Sequence, residues 1–141
     1  MPMNVLTRYL EIKSKGESHM IDLTEEVQDS VETLRFSNGV ITIFVPGSTG
    51  AVTTIEYEDG LLTDFPAMLE RVAAKNIKYE HQKRWHDNNG HSHVRASLIG
   101  PSLTVPFVKG KLTLGTWQQI VFIELDIQPR SRRLVVQIMG E

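Results

Sequence analysis

Four of the five histidines, His81, His86, His91 and His93, fall within one short stretch that also carries Glu80, Asp87, Asn88 and Asn89. Imidazole is the commonest metal ligand and the side chain best suited to moving protons near neutral pH. In an extended chain His91 and His93 would share a face, about 6–7 Å apart, and both rings could reach one ion. Asp87 would then complete an open three-ligand site with a position left for water or substrate. The bland alternative is a hydrated loop in which His and Asn share no task, and two histidines one residue apart do not decide between the two. Asp87, Asn89 and His91 alternate as calcium-loop ligands do. However, the places where such a loop needs glycine and glutamate hold Ser92 and Leu98.

Three other groups could do chemistry. Gly47-Ser48-Thr49-Gly50 could wrap an anion with backbone N–H groups and two hydroxyls, or could be a plain turn between strands. It has no P-loop lysine and leads into a strand rather than a helix, so it is not a Walker motif. Arg130, Arg132 and Arg133 are the sole local cluster of basic charge and read as a solvated turn, with phosphate binding as the sharper alternative. Gly115-Thr-Trp-Gln118 reads as a bend that lets the indole pack, and Trp85 as a packing residue.

The elements that must position these groups follow from periodicity. Val5–Ile12 reads as a strand, Met20–Leu23 as a short extended piece, and Thr24 as the N-cap of a helix carrying Val27, Val31 and Leu34 on one face, stopped at Ser37-Asn38-Gly39. Val40–Val45 and Ala51–Tyr57 read as strands. A second helix is expected over Thr63–Ala74, with Pro66 in its tolerant first turn. From Asn76 to Gly100 periodicity fades into a long polar connection, with a short helix at Val94–Ile99. Ser102–Val105, Trp117–Asp126 and Arg133–Met139 complete the strands, the last expected to be covered on both faces. Strands with interposed helices imply an α+β domain, a mainly antiparallel β-sheet sandwich with two or three helices, formed as a single domain over residues 1–141.

Composition narrows the function classes. The 141 residues include 15 basic and 17 acidic side chains and no cysteine. This leaves no basic footprint for nucleic acid and excludes thiolate metal sites, cysteine nucleophiles and disulfides. A chain of this length can bury enough surface to fold without a structural metal. The opening Met1-Pro-Met-Asn-Val lacks the pattern of a secretion signal, and no apolar run approaches a membrane span. A cytoplasmic location with no membrane partner is therefore expected.

The stretch His93-Val-Arg-Ala-Ser-Leu-Ile-Gly-Pro-Ser-Leu-Thr-Val-Pro, the Gly115-Thr-Trp-Gln118 block and the closing Val136-Gln-Ile-Met-Gly-Glu141 together resemble the YjbQ-like family, the secondary thiamine-phosphate synthase family. Tyr79-Glu-His81, Asp87–His93 and Ser48-Thr49 fall in the expected order, and the resemblance spans almost the whole chain. It implies a compact antiparallel α+β domain that assembles as a homotrimer. It further implies a site around His81, Asp87, His91 and His93, with Arg95 and Gln118 nearby. In that site Asp87, His91, His93 and Arg95 would be catalytic, and Ser48, Thr49, Asn89 and Gln118 would bind substrate. His81, His91 and His93 would hold a divalent metal, zinc or magnesium, and no organic cofactor is expected. The chain departs from the family at Gly47, where many relatives carry histidine. The implied reaction joins a pyrimidine-methyl pyrophosphate to a thiazole phosphate and expels pyrophosphate. A non-catalytic module for a phosphorylated small molecule and a metal-dependent phosphoester hydrolase are the alternatives.

Overall fold

A computed structural model describes residues 2–141; Met1, the first residue of the opening stretch read above, lies outside them. The elements run β1 (Asn4–Lys13), β2 (Met20–Asp22), α1 (Thr24–Leu34), β3 (Asn38–Phe44), β4 (Gly50–Ile55), α2 (Asp59–Val72), α3 (Glu80–Trp85), α4 (Gly90–Ile99), β5 (Ser102–Val108), β6 (Lys111–Leu112), β7 (Gln119–Glu124) and β8 (Ser131–Gly140). They form a five-stranded sheet in the order β1-β8-β3-β5-β6 and a three-stranded sheet in the order β2-β7-β4. Every pairing is antiparallel, from Asn4↔Gly140 between β1 and β8 to Gly50↔Glu124 between β4 and β7. The α+β antiparallel architecture agrees with the sequence, but the described residues hold four helices rather than two or three.

The main core joins the two sheets. Ile41, Ile43, Val105, Leu134, Val136 and Ile138 of the larger sheet share it with Val52, Ile120 and Phe122 of the smaller one, and Val27 and Val31 of α1 close one side. The other face of the small sheet, Ala51, Val121 and Ile123, packs on Leu69 of α2 and Ala96 of α4. Covered on both faces, β7 can be apolar at every position from Ile120 to Ile123. Burying each such side chain is worth about 1.5–3 kcal/mol.

In β8, by contrast, Leu134, Val136 and Ile138 are buried while Arg133, Gln137 and Met139 are exposed. The expectation that both faces of this strand are covered is corrected: its outer face is open in the single chain. Apolar Val5, Tyr9, Phe44, Val108 and Met139 are exposed on that sheet.

Local capping departs from the sequence reading in two places. Thr24 lies inside α1 rather than capping it, because its hydroxyl is occupied elsewhere. It donates to Asp22 Oδ1 (2.7 Å) and accepts from the Ile120 amide (2.9 Å), while Asp22 Oδ1 accepts the Thr24 amide (3.0 Å). In α2 the cap is Glu58, whose carboxylate takes the amides of Gly60 and Leu61 at 2.8 and 2.6 Å. The helix therefore starts earlier than expected and leaves Pro66 in its interior, where the Leu62 carbonyl loses its usual amide donor.

Candidate functional site

The segment read as a long polar connection with a short helix at Val94–Ile99 holds two helices, α3 and α4, placed side by side. The expected helix is the second half of α4, which starts earlier at Gly90, while α3 buries no side chain and so carries no apolar stripe to reveal it. His86 ends α3 in the left-handed conformation (φ 56°), Asn88 repeats it (φ 61°), and the chain doubles back. Gly90 then permits the contact between the helices: a Cβ there would stand 2.6 Å from the Tyr79 Cβ and 2.5 Å from Gln82 Oε1. Gly90→Ala is expected to lose about 1–3 kcal/mol through overpacking and to pull His81 away from His93. The His81 imidazole signals in an NMR spectrum of the variant would report that separation.

This packing brings His81 and His93 together, their ring centroids 4.4 Å apart at a 49° tilt. His81 Nε2 lies 3.2 Å from Asp87 Oδ1. Burial and the adjoining His81 lower the pKa of His93 below the ordinary 6.5, against the opposing pull of Asp87 and Asp126. Near neutral pH His93 is thus an uncharged imidazole able to accept a proton.

Behind the pair runs a buried polar network. One end of the Asn89 amide is 3.4 Å from Asp126 Oδ1. Asp126 also accepts from Thr49 Oγ1 (3.2 Å), Arg130 (2.8 Å) and the Ile127 amide (2.8 Å). Burial alone would raise the pKa of Asp126; these donors outweigh it and hold the pKa below the ordinary value. Arg132 donates to Thr49 Oγ1 (2.9 Å) and grips the fully buried Glu124 through Nε (3.0 Å) and Nη2 (2.5 Å). Ser14 Oγ donates to the same carboxylate at 2.7 Å. Glu124 and Asp126 were absent from the sequence-derived site, although a carboxylate closing a continuous apolar strand is costly to bury unless paired and was the signal for them. Arg132, read with Arg130 and Arg133 as a solvated turn, is buried.

His91 does not join His93. Two residues apart on a helix, the side chains point about 200° apart; the shared face expected for an extended chain does not form. His91 is fully buried, and its Nε2 bonds Glu17. Glu17 also receives Lys75 Nζ at 2.8 Å. Arg95, one turn from His91, donates to the Ala73 carbonyl (2.9 Å) and to Glu70 (2.8 Å). His91 and Arg95 therefore fasten α4 to the end of α2 and to the β1–β2 connection, away from the His81–His93 pair.

Burial would raise the pKa of Glu17, but Lys75 and His91 hold it below 4.5. A lowered carboxylate stabilises the fold above its unfolded-chain value and loses that contribution as pH falls through the folded one. Glu17→Gln is therefore expected to destabilise the protein at neutral pH by an amount that shrinks as pH falls below 4.5, as a series of urea midpoints across that range would show.

The remaining predicted residues separate. Thr49 is buried in the network, whereas Ser48 is exposed. Gln118 lies beyond the opposite end of β7 from Glu124, roughly 20 Å along the strand direction, where it donates to Thr54 Oγ1 at 3.1 Å. His86 is an exposed helix terminus. Trp85 and Trp117, read as packing residues, are 62% and 73% exposed.

The described residues contain no group of three His, Cys, Asp or Glu side chains arranged to hold a metal. The set His81, His91 and His93 does not assemble, because His91 is turned away. His81, Asp87 and Asn89 converge instead. The inner end of the Asn89 amide stands 2.8 and 3.2 Å from the Asp87 oxygens and 3.1 Å from His81 Nε2, and with its nitrogen there it donates to both neighbours. Turned oxygen inward, the amide would present a third acceptor to a hard or borderline ion.

The comparisons agree with this architecture. The family model described as UPF0047 protein YjbQ-like matches residues 8–141. A UPF0047 protein of Methanothermobacter thermautotrophicus is 40% identical over 139 residues, covering 99% of this chain and 95% of that protein. The UPF0047 protein YugU of Bacillus subtilis is 32% identical over 136 residues, covering 96% of this chain and all of that protein (100%). The crystal structure of a YbjQ-like protein of unknown function from Sulfolobus solfataricus superposes with a TM-score of 0.94 at 31% identity, covering 99% of this chain and 100% of that one. A hypothetical protein from Aeropyrum pernix superposes at 0.89 with 32% identity, covering 96% and 99%. The chain belongs to the YjbQ-like UPF0047 family.

Proposed function

We propose that this protein is an enzyme acting on small phosphorylated metabolites, with thiamine-phosphate formation as the best named case, as main or side activity, and His93 as its proton-transfer group. The observation that carries the reading is His93 packed at a tilt against His81, its pKa lowered by burial and by that neighbour, beside a network whose carboxylates already hold their own partners. In the reaction the thiazole nitrogen bonds the pyrimidine methylene carbon as the carbon–oxygen bond to pyrophosphate breaks. The barrier lies in parting a carbon that becomes cationic from a highly charged leaving group. Asp87, beside His81, supplies negative charge toward the developing cation. Uncharged His93 can take an N–H proton of the pyrimidine as the carbon becomes cationic and return it once the carbon–nitrogen bond has formed. Arg95 is withdrawn from this scheme, because its buried guanidinium is turned to Ala73, Glu70 and Glu17, away from the His81–His93 pair.

In a second reading the Asn89 amide turns its oxygen inward and joins His81 and Asp87 around a divalent ion, zinc or magnesium. Such an ion would supply charge neutralisation at a phosphoryl oxygen or an activated water. Metal analysis of untagged protein separates the readings. A bound ion that is lost in Asp87→Ala supports the metal centre; no ion after incubation with zinc or magnesium rejects it.

We further propose that the chain assembles as a homotrimer in the cytoplasm through the end of the five-stranded sheet where Val5, Val108 and Met139 are exposed, clear of Tyr9. Sedimentation of a Met139→Lys variant as monomer would support that placement, and an unchanged trimer would reject it.

Release of pyrophosphate from the two thiamine precursors, followed continuously, tests the activity itself. Turnover in the wild type supports the transferase. Phosphate release from simple phosphoesters instead would favour the hydrolase. Binding without turnover of either kind would leave a recognition module.

A further inference from the structure

Arg132 is unusual in being buried, pinned on two nitrogens and open on the third. Its side chain is only 6% exposed, and Glu124 and Thr49 occupy Nε and Nη2. Nη1 has no partner among the described residues and lies 3.4 Å from where a Cβ would stand on Gly47. Gly47 has φ 109°, a conformation other residues rarely adopt. With no side chain there, the nitrogen opens onto a cleft of about 380 Å³ whose wall includes Tyr9, Gly47, Arg130, Ser131 and Arg133. That volume suits a small-molecule site, about 300–1,000 Å³.

No acidic side chain lines this cleft. Arg133 is stacked on Tyr9 (4.0 Å) and paired with Glu11 (3.1 Å), and Arg130 is held by Asp126. The nearly buried Asp126 anchors Arg130 and the Tyr9 ring anchors Arg133, while other N–H groups of both have no partner among the described residues. Donors immobilised in this way lose little entropy on meeting a tetrahedral anion, and guanidinium forks match phosphoryl oxygens. Arg132 is also one hydroxyl from the histidine side of the molecule. It bonds Thr49, Thr49 bonds Asp126, and Asp126 faces Asn89.

We infer that the cleft floored by Arg132 Nη1 is a phosphoryl-binding subsite, taking the dianionic end of a phosphate monoester or a pyrophosphate. This assignment rests on the reading of the protein as one that acts on phosphorylated metabolites. It supplies the cationic contact that Arg95 cannot.

Equilibrium binding of inorganic phosphate and of pyrophosphate to the full chain, measured by calorimetry and 31P line broadening, tests it without requiring turnover. Saturable binding is expected in the wild type. A weakening of at least about tenfold is expected both in Ser131→Asp, which puts a carboxylate in the cleft without touching an ion pair, and in Arg130→Gln. Circular dichroism shows whether both variants fold. Tighter binding of pyrophosphate supports a seat for a diphosphate leaving group, and equal or weaker binding supports a monoester site. Absence of saturable binding in the wild type, or undiminished binding in either folded variant, overturns the inference. If phosphate binds here and no turnover is found with any substrate, it is the catalytic reading that fails and not this one.

Discussion

His93→Ala is expected to lower turnover by about 10²- to 10⁴-fold, the usual contribution of a positioned proton-transfer group, while changing stability little. The two parts of this expectation have separate causes. His93 meets His81 by ring contact and lies at the rim of the buried network rather than inside it, so removing it strands no charge. Its chemistry depends on the uncharged form, and its pKa lies below 6.5 because of burial and His81. The base form is therefore lost at a lower pH than in an ordinary histidine. A pH–rate profile of the wild type should show its acidic limb below 6.5, and that limb should vanish from the residual rate of the variant. A variant with full turnover would remove His93 from the mechanism. A variant that also unfolds more readily by several kcal/mol would make its role structural.

Glu124→Gln is expected to cause the largest loss of stability, about 3–5 kcal/mol. The carboxylate is fully buried and receives Arg132 through two nitrogens, Ser14 through its hydroxyl and the Asp126 amide. Glutamine keeps the volume but removes the charge, leaving the Arg132 guanidinium buried without compensation. For a domain of this size the melting temperature should fall by on the order of 10 °C. The double variant Glu124→Met with Arg132→Leu should lose less than the single one, because no charge is then left unpaired inside. Chemical denaturation of the single and double variants measures this. A double variant as unstable as Glu124→Gln would show that the pair itself stabilises the fold beyond avoiding a stranded charge. By the inference above, the double variant should also lose phosphate binding, since the nitrogen that floors the cleft is gone.

The antiparallel α+β fold, the core strands and α1 were legible in the sequence because each has one dominant signal. Val40 to Val45 is a β-branched run, and Val27, Val31 and Leu34 repeat at helical spacing. The location of polar chemistry near residues 81–93 was legible from composition alone. What a single chain of letters could not give was the direction of each side chain. An extended reading put His91 and His93 on one face, and the helix put them on opposite ones. One then serves the His81 pair and the other a buried lock with Glu17.

Nor could sequence distance pair the groups that matter most. Glu124, Arg132 and Thr49 meet only because β4 and β7 are neighbours and the chain after β7 returns into β8. Residue types and local periodicity determined which elements form and where charge and imidazole accumulate. The tertiary structure alone decided which of those groups meet and which nitrogens remain free. Such contacts depend on strand order and helix rotation, and local sequence does not encode either.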